Sequence, residues 1–418
     1  MTGSLGLSAT GLSCSGKPPT GVVPDCTPTL VLPALRTDIL FVIDDSDSMR
    51  EEQAKVVAQL GQFVQTLKSA PVQHDFQVGV VTTSISLQVA SCASLNTPTV
   101  IDFPDESGRL QLGKDLQGQP VAGSTKKILS YADADFLQQF QLLIGQGVNG
   151  SGQEMGLEAM GLALTPPLIS LATNAPPPGP GNKGFLRAGS RLLVIIVSDE
   201  DDCSVRDQAT SSVVLTPACG SACTSDADCN RSAEGNYCLM QPMGGRLCSQ
   251  NACETTAGRS KLQAVSDYVD LLSNLDDGTN TGRKRDVFLA VIGAVDSAGN
   301  PDRCQQGTDE AAGVAVRYKD AVDQTIAKLG AGHGLISSIC ATDYAKTLTD
   351  IAQLVNVSQT LDLGSNPPDG HLITIQIHHA TGTTDTCSFG NGFTFERGTE
   401  SVSARVTFTS PCKLAQGD

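Results

Sequence analysis

Basic residues are scarce in this chain: 28 Lys plus Arg stand against 44 Asp plus Glu, a formal charge of −16 at neutral pH. Nucleic-acid binders draw their affinity from neutralising phosphates, so this deficit argues against a nucleic-acid partner and suits cations or a cationic surface. Histidine is scarcer still, five in 418 residues with none between His74 and His333. G-x-S-x-G and H-E-x-x-H are absent, and no Cys/His pair has a supporting context, which removes the usual frames for nucleophilic and zinc hydrolysis. No apolar run approaches the roughly 20 residues of a membrane-spanning helix, so a soluble or peripherally held chain is expected.

Cysteine, by contrast, is abundant. Fourteen of them, irregularly spaced, point to an oxidising compartment outside the cytosol. Export needs a signal, yet residues 1–16 lack a basic n-region and hold only a stunted apolar segment, so the start reads as truncated or clipped. Cys14, after Leu12-Ser13, loosely resembles a bacterial lipoprotein cleavage site, with a plain disulfide cysteine as the alternative. Residues 17–36, rich in Pro and Thr, read as an extended leader, giving a first segment of 1–35.

The centre of the pattern is Thr37–Ser48. Ile39, Leu40, Phe41, Val42 and Ile43 form an unbroken apolar run, the signature of a parallel strand buried on both faces. From Met49 the period becomes helical, with Val56, Val57, Leu60, Phe63, Val64 and Leu67 on one face and Glu51 and Glu52 in the first turn. The turn between them, Asp44-Asp45-Ser46-Asp47-Ser48, lies at the carboxyl end of a strand, where open α/β sheets bind ligands. Its alternate oxygens, Asp44, Ser46 and Ser48, suit a hard divalent cation. On this segment alone an S-x-x-E capping box, Ser48 with Glu51, explains the residues equally well. An EF-hand is excluded, because Met49 and Lys55 stand where its Gly and Glu belong.

Two more segments are rich in the same oxygen-bearing residues. Gly150-Ser151 precedes a helix, and Ser151 likewise opens an S-x-x-E box with Glu154. The G-x-G-x-x-G that ends at Gly150 follows a helix pattern, so the dinucleotide reading lacks its strand. Leu192–Val197 repeats the buried-strand signature and stops at Ser198-Asp199-Glu200-Asp201-Asp202-Cys203, which offers Asp199. Each of the three segments stands at the end of a buried strand or at the start of a helix.

Asp44-x-Ser46-x-Ser48, with Gly150-Ser151 and Ser198-Asp199-Glu200, resembles the metal-ion-dependent adhesion site of von Willebrand factor A domains. Ser198–Ser204 and Ser338–Tyr344 resemble stretches of bacterial exported A-domain proteins, lipoproteins among them. The resemblance covers about residues 36–357 and implies a doubly wound, mostly parallel α/β sheet, Rossmann-like, flanked by helices. It also implies Mg²⁺ (or Ca²⁺ or Mn²⁺) held by Asp44, Ser46, Ser48, Ser151 and Asp199, and a role in adhesion or recognition without catalysis. Two features depart from the family: Ser151 replaces a threonine, and Glu200 a glycine. Asp45, Asp47, Glu200, Asp201 and Asp202 make the site more negative and are auxiliary candidates for a second cation or for rejecting acidic ligands.

The remainder is expected to elaborate that domain. Residues 203–256 read as a cysteine-rich insertion in which Cys219 through Cys253 pair among themselves. Cys92 and Cys203 are expected to bridge two loops, on the premise that the strands before them are sheet neighbours. Helices are expected at Lys261–Leu275, Ala311–Leu329 and Tyr344–Val355, with a strand at Val287–Ile292. Cys304 and Cys340 are placed to pair. Residues 358–418 read as a β-rich extension with Cys387 bonded to Cys412. The leading functional expectation is a metal-dependent binding module at the cell envelope, outer surface or beyond, recognising an extracellular protein or a surface polysaccharide. The rivals are a metal-dependent hydrolase and a structural envelope protein whose ion only pins loops.

Overall fold

The computed structural model describes residues 6–9, 35–68, 74–89, 99–101, 103–174, 180–205, 222–224, 228, 236–240, 246–250, 259–260, 262–280, 282–306, 309–311, 313–356, 360–363, 367–378, 383–399 and 404–412. The greasy run after Thr37 forms the inner strand β2 (Leu35–Ile43), with Ile39 through Ile43 fully buried. β3 (His74–Thr82) and β6 (Ile128–Ser130) extend the sheet on one side. β7 (Arg191–Val197), β10 (Val287–Gly293) and β13 (Gly334–Ser338) extend it on the other, in the order β13-β10-β7-β2-β3-β6. Every pairing is parallel except that of β6 with β3. β7 and β10 are buried along their whole length, which is why their sequences show no alternation.

Ile43 lies opposite both Thr82 and Val197, so β2, β3 and β7 end level. After β2 the chain moves to the β3 side, and after β7 to the β10 side. The crevice between the two departing loops is a topological switch point, the place where such sheets bind ligands. Helices α1 (Arg50–Lys68), α2 (Phe136–Ile144) and α6 (Tyr344–Asn356) pack together, as do α3 (Gly156–Leu164), α4 (Val265–Asn274) and α5 (Val316–Leu329). Phe41 of β2 meets Phe63 of α1 and Phe140 of α2 edge-on, with centroids 5.9 and 5.5 Å away. Such edge-to-face pairs contribute about 0.5–1.5 kcal/mol each beyond the area they bury.

Several expectations change. α4 starts at Val265 and not at Lys261, and α5 at Val316 and not at Ala311. The edge strands β6 and β13 emerge from sequence that offers little apolar periodicity. β3 and β7 are not neighbours, because β2 lies between them, so the premise for a Cys92–Cys203 bridge fails. Cys203 is disulfide-bonded, as are Cys223 and Cys248 within the insertion; Cys92 lies outside the described residues. Short antiparallel ribbons occur as well: β4 (Leu87–Val89) with β5 (Thr99–Ile101), β8 (Asn236–Met240) with β9 (Arg246–Gln250), and β11 (Gln305–Gln306) with β12 (Asp309–Glu310). The Cys304–Cys340 disulfide ties the loop after β10 to the one after β13.

A second sheet has its own core. Its order is β1 (Gly6–Ala9), β15 (Ile373–His378), β16 (Thr384–Phe389), β17 (Gly392–Glu396), β18 (Arg405–Phe408) and β14 (Thr360–Asp362). Ile375, Ile377, Phe393 and Val406 are buried there around the Cys387–Cys412 disulfide. Residues 6–9 thus pair with the C-terminal sheet and do more than lead into β2. Arg283 and Glu396, 2.9 Å apart, link the two regions. Among the described residues no helix is long and apolar enough to cross a membrane.

Candidate metal centre

Two loops meet at the switch point. Asp44 follows β2, its amide bonded to the Val197 carbonyl of β7 at 3.0 Å. Ser198, the first residue after β7, donates its hydroxyl to Asp44 Oδ2 at 2.7 Å, while Asp44 Oδ1 accepts the Ser46 amide at 2.9 Å. The hydroxyls of Ser46 and Ser48 lie 2.9 Å apart, and Ser48 donates to Asp199 Oδ1 at 3.0 Å. Asp44, Ser46, Ser48 and Asp199 therefore form one continuous polar string across two strands.

Ser151 reaches the same place by a different route. The amide of Gly150 bonds the Asp45 carbonyl at 2.7 Å, and a Cβ on Gly150 would strike the Asp45 carboxylate, so only glycine permits this approach. Ser84 Oγ donates to Asp45 Oδ1 and accepts the Ser151 amide, each at 2.8 Å. Buried Gln53 of α1 completes the frame, donating to the Asp44 and Gly147 carbonyls at 2.9 and 2.8 Å and accepting from the Gln146 amide at 3.0 Å.

Burial dominates the electrostatics. Asp44, Asp45, Ser46, Ser151 and Asp199 are buried, whereas Ser48 and Asp47 are exposed. Burial pushes the Asp44 carboxyl up to about 6, the hydrogen bonds from Ser198 and Ser46 only partly opposing it. Asp45 is raised by burial and by Glu106; the opposing charge comes from Lys114, itself ion-paired with Glu106. Glu154, 1% exposed, is raised by burial and then by the carboxylates of Glu200, Asp44, Asp199 and Asp45.

The flanking acids behave differently. Asp202 accepts Nε and Nη2 of Arg317 at 3.1 and 3.0 Å and caps α3 through the Leu157 amide at 3.0 Å. Asp201 accepts the Arg317 amide at 2.8 Å and lies 3.7 Å from Arg259, with burial raising its carboxyl to about 8. Asp47 points to Arg50, 3.6 Å away at the surface. Glu200 is buried beside the centre, its amide bonded to Ser198 Oγ at 3.2 Å. Cys14 lies outside the described residues.

Neither capping box forms. Ser48 sits inside a single 3-10 turn, Asp47–Met49, and its hydroxyl goes to Asp199. Ser151 precedes α3 by five residues, and both carboxyl oxygens of Glu154 lack a hydrogen-bond partner. Thr83, Ser84 and Glu154 are the residues that sequence reasoning leaves out of the site. The polar ending of β3, Thr82-Thr83-Ser84, is the available signal. Thr83 Oγ1 and Glu154 are buried without partners, and orphaned hard oxygens beside serine hydroxyls and aspartates match what a divalent cation needs. Among the described residues no group of three His, Cys, Asp or Glu is arranged to hold an ion by itself, so such a centre depends on its hydroxyls.

No protein-family model matches the chain, and no curated protein matches it. Among solved structures it is similar to the pilus adhesin SpaC from Lactobacillus rhamnosus GG, at 10% identity and a TM-score of 0.31, over 90% of this chain and 39% of that one. It is also similar to the pilus adhesin RrgA from Streptococcus pneumoniae, at 8% identity and a TM-score of 0.32, over 89% of this chain and 54% of that one. The chain spans about half or less of each of these structures. Likeness at this level carries no argument about function.

Proposed function

We propose that residues 36–357 form a von Willebrand factor A-type domain that holds one divalent cation, Mg²⁺ or Ca²⁺, at Asp44, Ser46, Ser48, Ser151 and Asp199. In this reading the domain uses the ion to bind an extracellular protein or a surface polysaccharide. The observation that carries the reading is the string Asp44–Ser198 and Ser46–Ser48–Asp199, which brings two loops about 150 residues apart in sequence onto one oxygen-lined crevice. The strand order and the antiparallel edge strand β6 support the same assignment.

A bound divalent ion supplies a coordination place for an oxygen of the partner. The chain's own residues do the rest: Ser198 and the Ser46 amide orient Asp44, Ser48 orients Asp199, and Gln53 fixes the loop that carries Ser151. Of the five, only Ser48 is exposed, so the partner approaches past it. The disulfides Cys304–Cys340 and Cys387–Cys412 fit an exported location, where such bonds persist. Calorimetric titration of Mg²⁺ and Ca²⁺ into chelator-stripped protein tests the reading. One ion should bind wild type and none the Asp44→Ala, Asp199→Ala double variant; equal metal content in the two sinks it.

A further inference from the structure

The C-terminal sheet turns one face of β17 and β18 to its own core: Phe393, Val406 and Phe408 are buried, and Phe395 packs against them. Successive side chains of a strand point to opposite faces, so Thr394, Glu396, Arg405 and Thr407 share the other face. The register sets Thr394 beside Thr407 and Glu396 beside Arg405. Together with the turn Gly282-Arg283-Lys284 they line a crevice of about 460 Å³. Small-molecule sites commonly hold about 300–1,000 Å³. Residues 282–284 precede β10, so the crevice lies at the amino end of the parallel sheet, opposite the end that carries Asp44 and Asp199.

The turn is held from behind. The Asp277 amide donates to the Arg283 carbonyl at 3.1 Å and the Arg285 amide to the Leu275 carbonyl at 2.7 Å. The buried Arg285 guanidinium donates to the Arg187 and Ser190 carbonyls at 2.9 and 2.7 Å. The Lys284 amine donates to the Asn274 carbonyl at 3.0 Å, and Arg283 reaches over to Glu396 at 2.9 Å. The cationic groups are therefore positioned before a ligand arrives, which lowers the ordering cost of binding.

Three of the eight lining residues are basic and one is acidic, the reverse of the chain's balance of 28 bases against 44 acids. Such a local surplus attracts an anionic group at short range, while the net charge of the chain turns away long, dense polyanions such as nucleic acid. Guanidiniums match the paired oxygens of a carboxylate. Glu396 narrows the ligand further. A bare sulfate brings no proton for Glu396 to accept and meets it as a like charge. A carboxylate that also carries hydroxyls can meet the arginines with one group and Glu396, Thr394 and Thr407 with the others. Lys284, Thr394 and Glu396 are exposed, so the rim is open and the ligand can be one unit of a longer chain.

We propose that this crevice binds a uronic acid unit of an acidic polysaccharide, independently of any cation at the opposite end of the sheet. The test is calorimetric titration of the chelator-treated full chain with an oligogalacturonate, a neutral oligoglucoside of equal length and inorganic sulfate, with melting temperatures recorded alongside. Wild type should bind the oligogalacturonate in chelator. Arg405→Gln should weaken it roughly tenfold or more, the size of a lost hydrogen bond to a charged group. Lys284→Gln, at the rim, supplies the same reading should Arg405→Gln melt early. Lys346→Gln, on the exposed side of α6, is the control for net charge and should leave affinity within about twofold. Glu396→Ala should weaken the oligogalacturonate and tighten sulfate, because it removes an acceptor and releases Arg283 together.

No binding in chelator overturns the proposal, and binding that returns only with Ca²⁺ assigns the sugar to the cation centre instead. Equal losses in Arg405→Gln and Lys346→Gln reduce the effect to net charge and overturn the site. An oligoglucoside that binds as well as the oligogalacturonate, or Glu396→Ala moving sulfate and oligogalacturonate the same way, overturns the uronate chemistry.

Discussion

Strand β2 has one buried aspartate near its amino end and another just past its carboxyl end, and the two are solved in opposite ways. Asp38, near the amino end, accepts Arg187 Nε at 2.7 Å and the Arg187 amide at 2.8 Å, with the Ser190 hydroxyl and, 3.8 Å away, Arg285 beside it. Asp44, at the carboxyl end, is just as buried but receives the Ser198 hydroxyl and the Ser46 amide in place of a guanidinium. Burial raises both carboxyls; a guanidinium opposes it for Asp38, and nothing cationic is among the main influences on Asp44. The amino end of the sheet is thus neutralised from within the chain. At the carboxyl end Asp201 and Asp202 are met by Arg259 and Arg317, but no guanidinium is among the main influences on Asp44, which suits the proposed cation site because a resident guanidinium there would compete with the ion.

The sharpest way to break the comparison is to remove the internal counter-charge. Arg187→Met strands Asp38 in the core, and losing one partner of a buried pair destabilises by about 3–5 kcal/mol. Asp44→Asn, in chelator, removes a charge that has no such partner, so stability should hold or rise. Urea unfolding of both variants in chelator reads the contrast directly. Equal losses would mean that the two ends are built alike and that Asp44 has an internal partner after all.

What the sequence discloses of this contrast depends on how local each signal is. β2 and its turn are readable because an apolar run and a burst of acids and hydroxyls adjoin in sequence, and β7 with Asp199 repeats the pattern. Sequence spacing assigns Glu154 to a capping box, because its distance from Ser151 is visible and its burial is not. The true caps of α3 come from Asp202 and Ser204, more than forty residues away, which no local pattern can announce. The edge strands β6 (Ile-Leu-Ser) and β13 (Gly-Leu-Ile-Ser-Ser) are short and half-exposed, so their sequences lack the continuous greasy signature of the inner strands. Pairing of residues 6–9 with β15 is a contact across most of the chain, beyond any periodicity argument.

A gentler probe of the same comparison is pH. In the metal-free fold the Asp44 carboxyl lies at about 6, above its ordinary value of 3.8, so the folded state holds the proton more tightly than the unfolded chain. Stability from this group is therefore fully present below about 3.8 and is lost as pH rises through about 6. The loss is on the order of 3 kcal/mol, since each tenfold difference in proton affinity between the folded and unfolded chain corresponds to about 1.4 kcal/mol. Subtracting the profile of Asp44→Asn from that of wild type, both in chelator, isolates it from all other acids. With saturating cation the sign should reverse, because ligands must be ionised to bind and metal affinity grows with pH. A difference profile that stays flat from about pH 4 to 7 would show that Asp44 is not the uncompensated acid described here.

The smallest effect is expected where sequence position alone would suggest a large one. Asp47 stands between Ser46 and Ser48, closer in the chain to two candidate ligands than Asp199 is to either. Its side chain, however, is 54% exposed and paired with Arg50 at 3.6 Å, itself half in water. Charges in that setting act through a dielectric near that of water and are screened within about 8 Å at physiological salt. Surface pairs of this kind are worth about 0–1 kcal/mol. Asp47→Asn should accordingly shift unfolding free energy by less than about 0.5 kcal/mol and cation affinity by no more than about threefold, with the latter shrinking further as salt is raised. The measurement is the same calorimetric titration, repeated at low and high salt. A salt-independent loss of tenfold or more would place the Asp47 carboxylate on the ion itself, and exposure to water would then no longer be what sets Asp47 apart from the acids proposed to make this centre.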